Sequence, residues 1–267
     1  MHIIDSPKVY LVAKTTLTPN GLDQYLQDIG NPNWRPDPDV SDTENLIEAA
    51  GRMCYRSWES YDPDKPDATN PNVSRVRNGN EGYLGNILAS AHGSVLEHAS
   101  ATFILRGVSR VLTHELVRHR AGMAYSQESL RYVRLDKLGV WLPKPVRENQ
   151  DARETFRTVV TYLEKVQRDL ADLFDIDHIK SFKTKKKLTS MFRRLAPIGL
   201  GTTIMVTGNL RAWRHIIAMR TSPAAEEEIR GVVGQIATIC KQEFPNAFQD
   251  MIQDPETEAW IFEHQKV

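Results

Sequence analysis

The stretch THELVRHRAGMAYSQESLRYVR, Thr113 to Arg134, carries four arginines, two histidines and two serines. Crowded together, residues of these types hold a metal, grip nucleic acid or bind small anionic ligands. A zinc-protease site needs HExxH, because ligands at i and i+4 share one face of a helix. His114 and His119 are five apart, which turns the second about 140° away on an ideal helix. No third histidine follows at a useful spacing, and no bound metal is expected. Nucleic acid fits little better. Arg110, His114 and Arg118 fall at i, i+4 and i+8 and make a cationic stripe, but no aromatics interleave with it to stack bases. A solvated face accounts for Arg110. It accounts poorly for Arg118, His119 and Arg120, which as consecutive residues of a packed helix point three ways. Several anionic groups converging near a helix end explain them better. A guanidinium grips phosphate with a planar fork and keeps its charge when partly buried.

The rest of the chain limits what such a site can be. Lys plus Arg and Asp plus Glu both total 34 of 267 residues, so no overall field draws the protein to nucleic acid or membrane. An anion site must be built locally. Length and a 40% hydrophobic content suit one globular domain, at most two, with a sizeable core. Cys54 and Cys240 sit in unrelated contexts, which predicts neither a disulfide framework nor structural zinc. The opening MHIIDSPKVYLVAKT lacks a basic lead, a long apolar core and a small-residue cleavage site. No apolar run approaches a bilayer span. The expected location is the cytoplasm.

Several elements must position the cationic residues. KVYLVAKT (Lys8–Thr15) reads as a strand. Ser41 and Glu44 form a capping box that starts a helix running through Cys54. Residues 55–82, rich in Pro, Asp, Asn and Ser, read as a loop rather than a domain linker. ASATFILR (Ala99–Arg106) is a second strand, stopped by Gly107 and followed by a helix to about Arg120. An amphipathic helix is expected over 150–174, with Phe156, Val159, Val160, Leu163, Val166 and Leu170 on its apolar face. SFKTKKKLTS reads as a solvated basic loop. TTIMVTG (Thr202–Gly208) is a third strand, and Asn209 can cap the helix after it. A last helix follows SPAAEEE, its glutamates favourable at a helix N-terminus and Ile229, Val233, Ile236 and Cys240 buried. Two segments repeat one logic, ILRGVSRVLTHELVRHR and MVTGNLRAWRHIIAMR, each a strand leading into a helix bearing Arg and His.

RHRAGMAYSQESLRYV resembles the signature of flavin-dependent thymidylate synthases: RHR, a short spacer, then a serine shortly before Arg-Tyr. Four further blocks look like the same family in the same order: EAAGRMCYRS, HGSVLEHASATF, RRLAPIGLGTTIMVTGNLRAWRHIIAMR and EEEIRGVVGQIATICKQEFPNAF. The chain departs from the family pattern in places. Eight residues rather than seven separate Arg120 from Ser129, which predicts a bulge within Ala121–Tyr125. Glu115 stands where Gln is common, His215 where Asn is frequent, and Leu130 replaces a small or polar residue.

The resemblance implies an α+β fold, a single domain over residues 1–267 with a central, mainly antiparallel sheet packed against helices. It implies a homotetramer with active sites at subunit interfaces. It implies methylation of dUMP to dTMP, with methylenetetrahydrofolate as carbon donor and NADPH as reductant through FAD. Matching positions assign FAD contacts to Ser94, Arg118, His119, Arg120, Gln127, Asn209, Leu210, Arg211 and His215, with His92, Glu97 and Cys54 nearby. They place Glu115, Gln127, Glu128, Ser129, Leu130, Arg131 and Arg193 around dUMP, and Arg220 against the uracil ring as the catalytic residue. Several anions needing several arginines is what the residues themselves indicate, and the missing GxGxxG suits a flavin site that is not of the Rossmann type. Neither cysteine has the setting of a nucleophile. Ser129 has no base beside it in sequence, so phosphate binding is the better role for it. The competing reading is a nucleotide- or RNA-binding module that uses the Arg118–Arg120 helix and the basic loop 183–187.

Overall fold

The computed structural model describes residues 2–131 and 137–267. Tyr132, Val133 and Arg134 of the opening stretch lie outside the described residues. In chain order the elements are β1 (His2–Ile4), β2 (Lys8–Lys14), α1 (Pro19–Asp28), α2 (Asp42–Tyr55), α3 (Asn80–Ala89), β3 (Ser100–Ser109), α4 (Arg110–Leu116), β4 (Met123–Gln127) and β5 (Gly139–Trp141). There follow α5 (Lys144–Arg147), α6 (Gln150–Leu173), α7 (Phe182–Phe192), β6 (Gly201–Asn209), α8 (Leu210–Arg220), α9 (Glu227–Glu243), β7 (Met251–Gln253) and β8 (Trp260–Phe262). A mixed helix and sheet chain is the expected α+β class.

Two compact units form, interleaved along the chain. One holds the N-terminus to Tyr10, Ile104–Arg120 and Tyr125–Val206. The other holds Leu11–Phe103, Ala121–Ala124 and Thr207–Val267. The main sheet has the order β2-β3-β6-β4, and each of its strands contributes residues to both units. Its pairing is antiparallel. In the first unit the end of β3 meets the start of β6, through Arg110 N to Leu200 O at 3.0 Å. In the second the opposite ends meet, through Leu210 N to Ala99 O at 2.9 Å. β1 and β5 pair in parallel, with His2 opposite Gly139.

Local sequence explains most of these elements. β6 alternates, burying Thr202, Ile204 and Val206 on one face. Ser41 accepts from Glu44 N at the start of α2, and Asn209 accepts from Ala212 N at 2.8 Å at the start of α8. Glu226 caps α9 by accepting from Glu228 N and Ile229 N, and Ile229, Val233, Ile236 and Cys240 are buried as expected. In the first unit Leu138, Val140, Leu142, Val160 and Leu200 form a core cluster. In the second, Phe103 packs edge-on against Trp213 with ring centroids 5.1 Å apart, a geometry worth about 0.5–1.5 kcal/mol beyond area burial.

The loop after α2 is held from beneath. Buried Arg52 donates Nε to Glu48 Oε1 at 2.7 Å and its two Nη groups to the carbonyls of Ser57 and Arg77, each at 2.8 Å. One guanidinium thus fixes both ends of the Ser57–Arg77 span.

Several expectations need correction. Gly107 does not stop β3. It adopts φ 74 within the strand, which continues to Ser109. The following helix ends at Leu116, so Arg118, His119 and Arg120 are not helical. Arg110 is not a solvated cation, because it donates Nη2 to the Glu128 carbonyl at 2.9 Å and burial lowers its pKa from the usual value. The basic run 183–187 is not a loop but the body of α7, capped by Ser181. Within Ala121–Tyr125, where the longer spacer is expected to bulge, the chain makes a turn at Ala121–Gly122 and β4 begins at Met123. Gly122 has φ 69, and a Cβ there would collide with the Asn209 side chain, so both its backbone and its missing side chain are needed.

The amphipathic helix forms as α6, but Phe156 and Val159 of its expected buried face are exposed. Among the described residues no helix is long and apolar enough to cross a membrane.

Candidate anion-binding site

In the first unit the cationic stretch is arranged around the end of α4. Ser109 caps the helix by accepting from Leu112 N at 3.1 Å. After seven residues it closes in a tight turn, with His119 N donating to Leu116 O at 3.1 Å and Arg118 N to Glu115 O at 3.2 Å. The irregular backbone that follows exposes Arg118 and Arg120 and half-buries His119. β4 lies along α4. Gln127 donates Nε2 to Thr113 Oγ1 at 3.1 Å, and two residues earlier on the same strand face Tyr125 shares its single hydroxyl proton between Leu116 O at 2.9 Å and His119 O. Desolvation pushes the Tyr125 phenol up to about 12, so it stays a proton donor across the working pH range.

Beyond β4 the chain turns. Ser129 Oγ accepts from Arg131 N at 3.3 Å, leaving the hydroxyl proton available to a ligand. Leu130 tucks its side chain against the Leu138–Leu200 core cluster and anchors this turn. Glu128 is held at the sheet edge, its N–H donating to Thr203 O at 2.9 Å and its Oε2 accepting from Thr203 N at 3.3 Å. Arg193 caps the C-terminus of α7 and is exposed. Among the described residues, the side chains of Arg118, Arg120, Arg131 and Arg193 have no carboxylate partner. Glu115 lies in the last turn of α4. His114 is exposed on α4 and His119 lies beyond its end, and among the described residues no three His, Cys, Asp or Glu side chains gather closely enough to hold a metal.

In the second unit α8 organises a different set. Arg211, in its first turn, donates Nη1 to Glu97 Oε1 at 2.6 Å. Gly93 lies under that arginine: a Cβ on it would come within 2.8 Å of Arg211 Nε, so a larger residue beside Ser94 would shift that side chain. Leu210 is buried. One turn beyond Arg211, His215 is exposed at the wall of a cavity of about 730 Å³ that is also lined by Met219, Trp260, Ile261 and His264. Arg220 ends the helix, where the helix dipole favours a cation. His92 stacks on Tyr55, whose hydroxyl lies 2.9 Å from Nδ1. Cys54 is exposed on α2 just before that tyrosine, whereas burial pushes the Cys240 thiol well above its usual pKa.

Ser129, Arg131 and Arg193 therefore belong with the Arg118–Arg120 segment in the first unit, and Cys54, His92, Ser94, Glu97, Asn209, Leu210, Arg211, His215 and Arg220 belong to the second. Sequence reasoning missed Arg52, Tyr125 and Arg214. Arg214 is wholly buried, with a bidentate pair to Asp250 at 2.7 and 2.9 Å and a ring contact to Phe262. Helical spacing carries no signal for it, since it lies three residues after the half-buried Arg211 and its partner Asp250 is thirty-six residues on.

The chain is an α+β protein in which several exposed guanidinium groups have no carboxylate partner among the described residues. A sequence profile of the family described as "Thymidylate synthase complementing protein" matches residues 39–246. A flavin-dependent thymidylate synthase of Mycobacteroides abscessus is 38% identical over 256 residues, covering 91% of this chain and 89% of the relative. That of Corynebacterium diphtheriae is 35% identical over 246 residues, covering 91% and 88%. The crystal structure of a UMP/dUMP methylase PolB from Streptomyces cacaoi bound with 5-Br dUMP matches with a TM-score of 0.61 at 19% identity, covering 93% of this chain and 96% of that one. At that identity the likeness speaks for the fold. This chain belongs to the thymidylate synthase complementing protein family, whose relatives are the flavin-dependent thymidylate synthases.

Proposed function

We propose that this enzyme methylates dUMP to dTMP, taking the one-carbon unit from methylenetetrahydrofolate and its reducing equivalents from NADPH through bound FAD. The observation that carries the proposal is the set of exposed arginines, Arg118, Arg120, Arg131 and Arg193, left without carboxylates among the described residues in a chain whose total charges balance. A flavin dinucleotide brings a pyrophosphate and dUMP a phosphate, and planar guanidinium forks suit both. The donor set therefore fits the cofactor. Arg118, His119, Arg120 and Gln127 are assigned to FAD, together with Ser94, Asn209, Leu210, Arg211 and His215, and with His92, Glu97 and Cys54 nearby. Glu97 holds Arg211 by one nitrogen, which orients the rest of the fork.

Ser129 and Arg131 are assigned to the dUMP phosphate, with Glu115, Gln127, Glu128, Arg193 and the backbone at Leu130 completing the nucleotide contacts. Arg220 is the catalytic residue, stabilising negative charge that develops on the uracil ring. FAD, when bound, supplies the electrons, so no protein nucleophile is required. The state of Cys240, buried with its thiol pKa raised, agrees with that role for the flavin.

We assign residues 1–267 to one such domain and expect a cytoplasmic homotetramer whose active sites are completed between subunits, with no nucleic acid among its ligands. The exposed apolar side chains Phe156, Val159 and Tyr162 on α6 support self-association. The test of function is direct. Purified protein should be yellow, absorbing near about 450 nm from general flavin chemistry, and NADPH should bleach it. Tritium release from labelled dUMP should need both NADPH and methylenetetrahydrofolate. A colourless protein that takes up no FAD would overturn the reading.

A further inference from the structure

We infer that Tyr125 is a positioning residue for the flavin nucleotide: its hydroxyl ends α4 at Leu116 and holds the His119 carbonyl, fixing the backbone from which Arg118 and Arg120 project. The inference rests on the reading above that these two arginines bind FAD.

In a continuing helix Leu116 O would accept from the N–H of Arg120. Here it accepts from His119 N at 3.1 Å and from the Tyr125 hydroxyl at 2.9 Å, so the helix closes one turn early. The same hydroxyl reaches His119 O, the other end of the turn. Both partners are carbonyls, so only a donor serves, and the phenol raised to about 12 is one at any working pH. β4 brings the ring there by its period of two. Tyr125 and Gln127 share a half-buried strand face, and Gln127 grips α4 farther back at Thr113. Arg118 and Arg120 have no carboxylate of their own to place them among the described residues. Their placement falls to the backbone, and the backbone is held by this tyrosine.

The experiment uses Tyr125→Phe, which keeps the ring and removes only the hydroxyl. Flavin retention and the FAD dissociation constant would be measured on the purified full chain. Losing one neutral hydrogen bond should raise that constant about three- to tenfold, with kcat at saturating FAD and KM for dUMP within about twofold of the parent. Amide exchange over residues 117–122 should quicken while that of α6 does not change. Arg118→Lys, which keeps the charge but loses the fork, should weaken FAD by itself. Combined with it, Tyr125→Phe should add less than it does alone, because the two act on one contact. Additive effects, or a dissociation constant unchanged in Tyr125→Phe, would overturn the inference. Should Arg118→Lys leave FAD binding untouched, the failure would lie instead with the assignment of this segment to the flavin.

Discussion

The two strand–glycine–helix segments look alike in sequence and differ in what they do with their cations. α8 runs for eleven residues and commits two of its arginines, Arg211 to Glu97 and Arg214 to Asp250. α4 stops after seven residues, and the cations that follow it have irregular backbone and, at Arg118 and Arg120, no carboxylate among the described residues. One arginine of α8 is buried structure, with both ends of its fork satisfied inside the protein. Arg118 and Arg120, after α4, are exposed and, among the described residues, have no carboxylate partner. A cationic helix in a sequence therefore says nothing of its use until the carboxylates around it are known.

The largest expected effect tests the far end of α8. Arg220→Lys should keep the fold and flavin spectrum while kcat falls about a hundred- to a thousandfold, the range for losing one preorganised electrostatic contact. Near-normal turnover would remove Arg220 from the chemistry and leave α8 a binding helix alone.

Stability should then separate buried from uncommitted arginines. Arg214→Leu strands Asp250 without its partner and should destabilise by about 3–5 kcal/mol in urea unfolding. Arg118→Ala should change stability by less than about 0.5 kcal/mol, yet yield colourless protein. Arg211→Ala should also lose flavin, and since its pair with Glu97 is about half exposed, should lower stability by no more than about 1 kcal/mol. Equal unfolding midpoints for Arg214→Leu and Arg118→Ala would erase the distinction between the two segments.

At the proposed dUMP contacts in the first unit, Ser129→Ala or Arg131→Ala should weaken dUMP binding about tenfold to a hundredfold, since a charge-assisted hydrogen bond is worth about 1.5–3 kcal/mol. Flavin content should be normal in both. An Arg131→Ala protein that loses flavin but titrates normally with dUMP would show that the longer spacer has shifted the register of roles.

Acid should act on the second unit through Asp250. Burial alone would raise its carboxyl, but the hydrogen bonds and charge of Arg214 bring it below the usual 3.8. A depressed folded pKa stabilises above the unfolded value, and that stability is lost as pH falls through the folded value. Parent protein should lose unfolding free energy steeply below about pH 4, and Asp250→Asn should flatten that limb in pH-dependent urea titrations. The smallest effect is expected from Cys54→Ser combined with Cys240→Ala, which should retain measurable dTMP synthesis. Complete loss in a folded, yellow double variant would revive a cysteine nucleophile.

Much of the scaffold was legible because its signals are local. The alternation of Thr202, Ile204 and Val206, the caps at Ser41 and Asn209, and the buried stripe from Ile229 to Cys240 depend on neighbours a few residues away. The α7 segment misled because four lysines within five residues read as solvated loop, although lysine is a good helix former and Ser181 caps it. The six-residue apolar face of α6 was readable as a face, but its sequence cannot say which part meets core and which stays open.

By itself the sequence determined the family, the residue types of the site and the need for a locally built anion pocket, because those reside in composition and motif order. Only the tertiary structure decided which cations are available. Arg110 is tied down by the Glu128 carbonyl eighteen residues on, and Arg214 by Asp250 thirty-six residues on. α4 ends where it does because a tyrosine from the next strand takes a helix carbonyl. Each of these is a hydrogen bond between residues distant in the chain, and helical spacing, which sees only a few residues either way, carries no information about them.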